Sequence, residues 1–177
     1  MKAYLNKKTA ALTFALLICA AFFVSCGTEE RDHLAYQEYP IKAECILCVG
    51  KEEYPLVLDI ASPDSARITF IGSRLEGSVV ELSSDGAFFV CDGYRLPLEL
   101  VQDSALRSIL SAFSLSSSDM TDVTQSDDAL TVGYRVDRLS IKVTLRDNVP
   151  SAMELSGGGD VYLLTFNNFT SGGRHPE

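Results

Sequence analysis

Leu130-Thr131-Val132-Gly133-Tyr134-Arg135-Val136-Asp137-Arg138-Leu139-Ser140-Ile141-Lys142-Val143-Thr144-Leu145 decides the fold, because it alternates through two successive runs. Val132, Tyr134 and Val136 oppose Thr131, Gly133 and Arg135, and Ile141, Val143 and Leu145 oppose Ser140, Lys142 and Thr144. Side chains alternate across a strand, so each run has one dry face and one wet face. Asp137-Arg138 is too short for a crossover, which makes the two runs an antiparallel hairpin.

The same grammar extends outward in both directions. Apolar and β-branched segments predict strands at Ile41–Val49, Tyr54–Ile60, Arg67–Ile71, Ser78–Leu82, Ala87–Cys91 and Tyr94–Leu98. After the middle of the chain they resume at Thr121–Gln125, Ala129–Val136, Leu139–Leu145, Ser151–Leu155 and Val161–Phe169. Turn residues close them, among them Ser62-Pro63-Asp64-Ser65, Ser83-Ser84-Asp85-Gly86, Asp92-Gly93, Ser126-Asp127-Asp128, Arg146-Asp147-Asn148-Val149-Pro150 and Ser156-Gly157-Gly158-Gly159-Asp160. One helix interrupts the series. Asp103 is its expected N-cap, and Leu106, Ile109, Leu110 and Phe113 follow at i, i+3, i+4 and i+7 on one face. The prediction is a mainly β (α+β) fold: a curved antiparallel sheet or open half-barrel of about eleven strands, with one amphipathic helix covering the concave face.

With that order of elements the chain resembles the LolA/LppX-like superfamily of envelope proteins, which includes the periplasmic lipoprotein carrier, its lipidated receptor and mycobacterial lipid-binding lipoproteins. The resemblance rests on the Arg67–Ile71 strand followed by Gly72-Ser73-Arg74-Leu75-Glu76-Gly77, on the Asp85-Gly86 turn into Ala87–Cys91, and on the helix before a second set of hairpins. It covers most of the stretch from Ile41 to Phe169. Members hold acyl chains between an open half-barrel and helices that act as a lid. Here one helix takes the lid position, and a short tether stands where the carrier has its amino-terminal helix.

The amino terminus bears on location. Lys2, Lys7 and Lys8 precede an apolar run from Ala10 to Val24, which ends in Phe23-Val24-Ser25-Cys26-Gly27. That order is a charged region, a hydrophobic region and a small residue before a processing point. It resembles the lipobox of bacterial lipoproteins, in which the cysteine receives a diacylglyceryl group and becomes the first mature residue; Phe23 stands where an aliphatic residue is usual. A retained membrane helix needs roughly 20 apolar residues, more than this run supplies. An ordinary secretory signal needs an Ala-x-Ala-like end, which is missing. The expected organisation is a signal peptide over 1–25, a lipidated tether over 26–39, a LolA-like β domain over 40–170 and a polar tail over 171–177. The protein is then expected on the extracytoplasmic face of a bacterial membrane, held by its lipid.

Charge and chemistry narrow the function. The full chain has 15 basic and 24 acidic residues, a formal −9, and loss of three signal-peptide lysines takes it to −12. Such a chain is repelled by phosphate backbones, so no nucleic-acid partner is expected. His33 falls in the tether and His175 in the tail, leaving the domain body without an imidazole for a nucleophile–base pair. There is no HExxH, EF-hand loop or phosphate-cradling glycine loop, and Gly157-Gly158-Gly159 reads as a hairpin turn. No enzyme activity, cofactor or metal is expected.

Cys45-Ile46-Leu47-Cys48 has CxxC spacing, but in a predicted strand residues three apart point to opposite faces, which opposes a bond between them. Free thiols, a disulfide of Cys91 with Cys45 or Cys48, and metal or redox work are the three readings. Two function classes follow. In one, Leu58, Phe70, Val80 and Phe88 line the concave sheet and Leu106 and Phe113 gate it, so that a lipid or other hydrophobic ligand binds. In the other, these side chains fill the interior, and the domain is a structural lipoprotein whose outer face meets an unidentified envelope protein.

Overall fold

The computed structural model describes residues 33–72, 74–99, 104–126 and 128–172. The signal segment, Cys26, the first part of the tether, Asp103 and His175 lie outside the described residues. The strands are β1 (Ile41–Val49), β2 (Glu52–Ser62), β3 (Ser65–Phe70), β4 (Val79–Ser83), β5 (Gly86–Cys91), β6 (Tyr94–Leu98), β7 (Met120–Gln125), β8 (Leu130–Val136), β9 (Leu139–Arg146), β10 (Val149–Gly157) and β11 (Asp160–Thr170). One helix, α1 (Ala105–Ser111), lies between β6 and β7.

All eleven strands form one sheet in the order β6-β5-β4-β3-β2-β1-β11-β10-β9-β8-β7. Every neighbouring pair is antiparallel. All but β1–β11 are consecutive in sequence, as tight turns require. Two-residue turns with positive φ at Asp92-Gly93 (49° and 81°), Asp147-Asn148 (51° and 64°) and Gly158-Gly159 (62° and 96°) match the right-handed strand twist. The sheet curves without closing, leaving β6 and β7 as its two edges. Register shifts at Glu44/Cys45, Ile60/Ser62, Pro150/Ala152 and Met120/Asp122 are the bulges that bend it.

Period-two patterning decides the inner face. Val80, Ile68, Leu58, Ala43 and Phe169 stand in register across β4, β3, β2, β1 and β11, and all are buried. A second row runs Val132, Val143, Met153, Leu164 and Leu47 across β8, β9, β10, β11 and β1, again all buried. The outer face carries the cross-strand pairs Lys42–Asp59 (3.7 Å) and Lys142–Glu154 (3.3 Å), each joining register partners. Being exposed, they contribute at most about 1 kcal/mol apiece.

The structure corrects several expected boundaries. β10 begins at Val149, because the turn needs only Asp147-Asn148, and Pro150 fits at a bulge where its missing N–H leaves no gap in the ladder. α1 has Ser104 as its N-cap: the hydroxyl accepts from Arg107 N. The helix ends at Ser111, so Phe113 follows it in a turn and does not extend the helical stripe. The folded body also begins before Pro40, since a 3-10 turn at Ala35–Gln37 places Tyr36 in the core at 2% exposure.

Candidate functional site

Among the described residues, the inner face has a covered centre and uncovered flanks. At the centre, Ile109, Ala112, Phe113 and Leu115 from α1 and the turn after it join the strand residues in one continuous cluster. Phe113 stacks on Phe169 (6.4 Å, 16° between ring planes) and meets Phe166 edge-on at 6.4 Å and Tyr36 edge-on at 6.3 Å. These separations are those of favourable aromatic pairs. Two hydroxyls fasten the end of the helix: Tyr36 Oη donates to Ala112 O (3.2 Å) and Tyr39 Oη to Phe113 O (2.5 Å). Burial pushes the Tyr36 phenol far above its ordinary value, against the opposing effect of its hydrogen bond with Gln37. Tyr36 therefore stays a neutral donor.

Of the six expected lining residues, Leu58, Phe70, Val80 and Phe113 meet in this cluster at 6% exposure or less, and Leu106 is half-buried against it. Phe88 does not join them. It pairs with Glu81 on the outer face, where the Arg95 guanidinium carbon lies 3.6 Å from its ring centroid and Arg95 Nε lies 3.6 Å from Glu81. Phe89 is the inner residue, in register with Val80. Ala87-Phe88-Phe89-Val90 is apolar throughout, so alternation could not tell which phenylalanine turns inward.

On the uncovered flanks, β6 presents Tyr94 and Leu96 at 71% and 56% exposure, on the same face as Phe89 because Leu96 is its register partner. At the opposite edge, Met120 and Val123 of β7 are 43% and 45% exposed and stand opposite Tyr134 and Val132. Sequence reasoning did not pick these residues out, although Tyr94, Leu96 and Leu98 alternate with Arg95 and Pro97. Nor did it single out Tyr36 and Tyr39, which it placed in the tether.

Two open clefts lie elsewhere. One of about 470 Å³ is lined by Glu52, Glu53, Tyr54, Gly72, Arg74 and Leu75. Within it the Tyr54 hydroxyl donates to the Glu52 carboxylate, which raises the phenol's pKa. The other, about 140 Å³, lies between β10 and β11 with Val149, Pro150, Phe166 and Phe169 in its walls.

The cysteines Cys45, Cys48 and Cys91 are free. Cys45 is buried on the inner face, and loss of hydration pushes its thiol up to about 12. It is protonated at neutral pH and a poor nucleophile. Cys48 has the opposite parity in β1, and β4, β3 and β2 intervene between Cys91 and either of them. Along the sheet that separation is about 19 Å at the usual strand spacing, far beyond disulfide reach.

The sequence matches no protein-family model and no curated protein. Among solved structures, the fold is similar to a LolA superfamily protein from Nitrosomonas europaea, at 9% identity over 81% of this chain and 92% of that chain, with a TM-score of 0.41. It is also similar to a hypothetical protein from Chlamydia trachomatis, at 9% identity over 80% of this chain and 92% of that one, with a TM-score of 0.38.

Proposed function

We propose that this chain is a membrane-anchored, extracytoplasmic, non-catalytic lipoprotein that binds a lipid or other hydrophobic ligand on the inner face of its half-barrel. One observation carries the reading: the β6 flank of that face exposes Tyr94 and Leu96 beside half-buried Phe89. Exposed apolar side chains that continue a core face mark a surface awaiting cover. The reading shifts the ligand from the centre of the sheet to its β5–β6 flank, because the protein's own side chains fill the centre. Full-length protein purified in detergent and extracted with organic solvent is expected to release stoichiometric lipid, and Leu96→Glu is expected to abolish it while leaving the melting temperature unchanged. Equal lipid in Leu96→Glu would reject the site.

The near-complete burial of Leu58, Phe70, Val80 and Phe113 favours a second reading, a structural or protein-interaction lipoprotein with a self-filled core. Lipid-free protein, still lipid-free after incubation with membranes, is the result that selects it.

A further inference from the structure

The cleft of about 470 Å³ has the size of a small-molecule site and a composition unlike the core beside it. Tyr54 and Leu75 pack partly against the hydrophobic cluster and give it an apolar floor. Glu52, on the inner face with Tyr54, and Arg74 supply one negative and one positive charge, while Glu53, of opposite parity in β2, borders the cleft. The Tyr54 hydroxyl orients the Glu52 carboxylate, and the Tyr54 ring offers the π surface on which an ammonium group rests favourably. A guanidinium is suited to a phosphate oxygen pair.

The cleft also lies at a telling place in the sheet. The registers Leu56↔Phe70, Thr69↔Val79, Val79↔Val90 and Val90↔Arg95 carry one end of the sheet from the start of β2 to the start of β6. Tyr94 therefore stands at the same end as the cleft, three strand spacings from β3, or about 14 Å.

We propose that this cleft is the headgroup site for a zwitterionic, amine-bearing phospholipid: Glu52 takes the ammonium, Arg74 takes the phosphate, and the acyl chains run across the inner face over Phe89, Tyr94 and Leu96. The inference rests on the lipid-binding reading above. A purely anionic headgroup is disfavoured by the Glu52 carboxylate and by the chain's net charge of −9. A free amine satisfies the Glu52 carboxylate but leaves the apolar flank and Arg74 without a partner from the ligand.

The test uses the full-length chain in detergent with phosphatidylethanolamine and phosphatidylglycerol, each labelled on an acyl chain and followed by fluorescence polarisation. Phosphatidylethanolamine is expected to bind about tenfold tighter, the scale of one charge-assisted hydrogen bond. Glu52→Gln should bring it to the level of phosphatidylglycerol without weakening the latter, and Tyr94→Ser with Leu96→Ser should weaken both. Equal binding of the two lipids by the unaltered chain, or a preference that survives Glu52→Gln, overturns the headgroup site and leaves hydrophobic binding standing. Displacement by O-phosphoethanolamine as efficient as by the whole lipid overturns the lipid assignment in favour of a soluble amine. Uptake of neither lipid sinks the headgroup site together with the reading on which it rests.

Discussion

Leu58 and Leu96 are both leucines on the inner face, yet they do different work. Leu58 has no exposed surface and sits mid-row between Ile68 and Ala43, whereas Leu96 is 56% exposed on the edge strand. Leu58→Ala is expected to cost about 2–5 kcal/mol, transfer and cavity terms together. Leu96→Ala should stay within about 0.5 kcal/mol. Chemical denaturation of both variants checks this, and a near-zero cost at Leu58 would mean that its surroundings are not filled by protein. Cys45 makes a pH prediction. Its folded pKa is raised to about 12 by burial, while in the unfolded chain a thiol ionises near 8.5. Above about pH 8.5 the unfolded state holds fewer protons than the folded one, so this contribution to stability is full below that pH and is lost as pH rises toward 12. Cys45→Ala should flatten the alkaline fall. Iodoacetamide at pH 8 should label half-exposed Cys48 and Cys91 in the native protein and spare Cys45 until denaturant is added.

Among elements, α1 is the least self-sufficient. It has seven residues and one capping hydroxyl, far below the length at which a helix is stable alone. What holds it is Ile109, Phe113 and the two tyrosine hydroxyls, which donate to the carbonyls of Ala112 and Phe113 just past its end. Tyr39→Phe keeps the ring and removes one donor, which should cost about 1 kcal/mol and speed amide exchange over residues 108–113 while β8 and β9 stay protected. Unchanged exchange there would show that aromatic packing alone fixes the helix. The edge strands fail differently. β7 is exposed at every residue, and a Cβ added at its neighbour Gly133 would meet the exposed Asp122 and Thr121 side chains, which would have to turn aside. Pro97 in β6 removes one donor from the opposite edge, a common safeguard against pairing with another chain.

For the whole molecule, the proposed arrangement is a lipid anchor, a short connection and an open half-barrel. The anchor has its own test: Cys26→Ala should move the protein from the membrane fraction to the soluble one, since acylation is worth about 0.8 kcal/mol per buried methylene. Retention in the membrane would reject lipidation as the main attachment. The strands, their antiparallel pairing and most turns were legible in the residues alone, because side-chain alternation and turn chemistry are local properties that a short window contains; β1 and β6 fall on their expected bounds for this reason. Three outcomes waited on the packed layers: which phenylalanine of Phe88-Phe89 turns inward, that Tyr36 and Tyr39 reach more than seventy residues along the chain to the end of α1, and that, among the described residues, the centre of the sheet is filled while its β6 flank is bare. Those outcomes depend on which surfaces the curved sheet and the helix bring together. Burial is a property of the assembled layers, and no single stretch of sequence carries it.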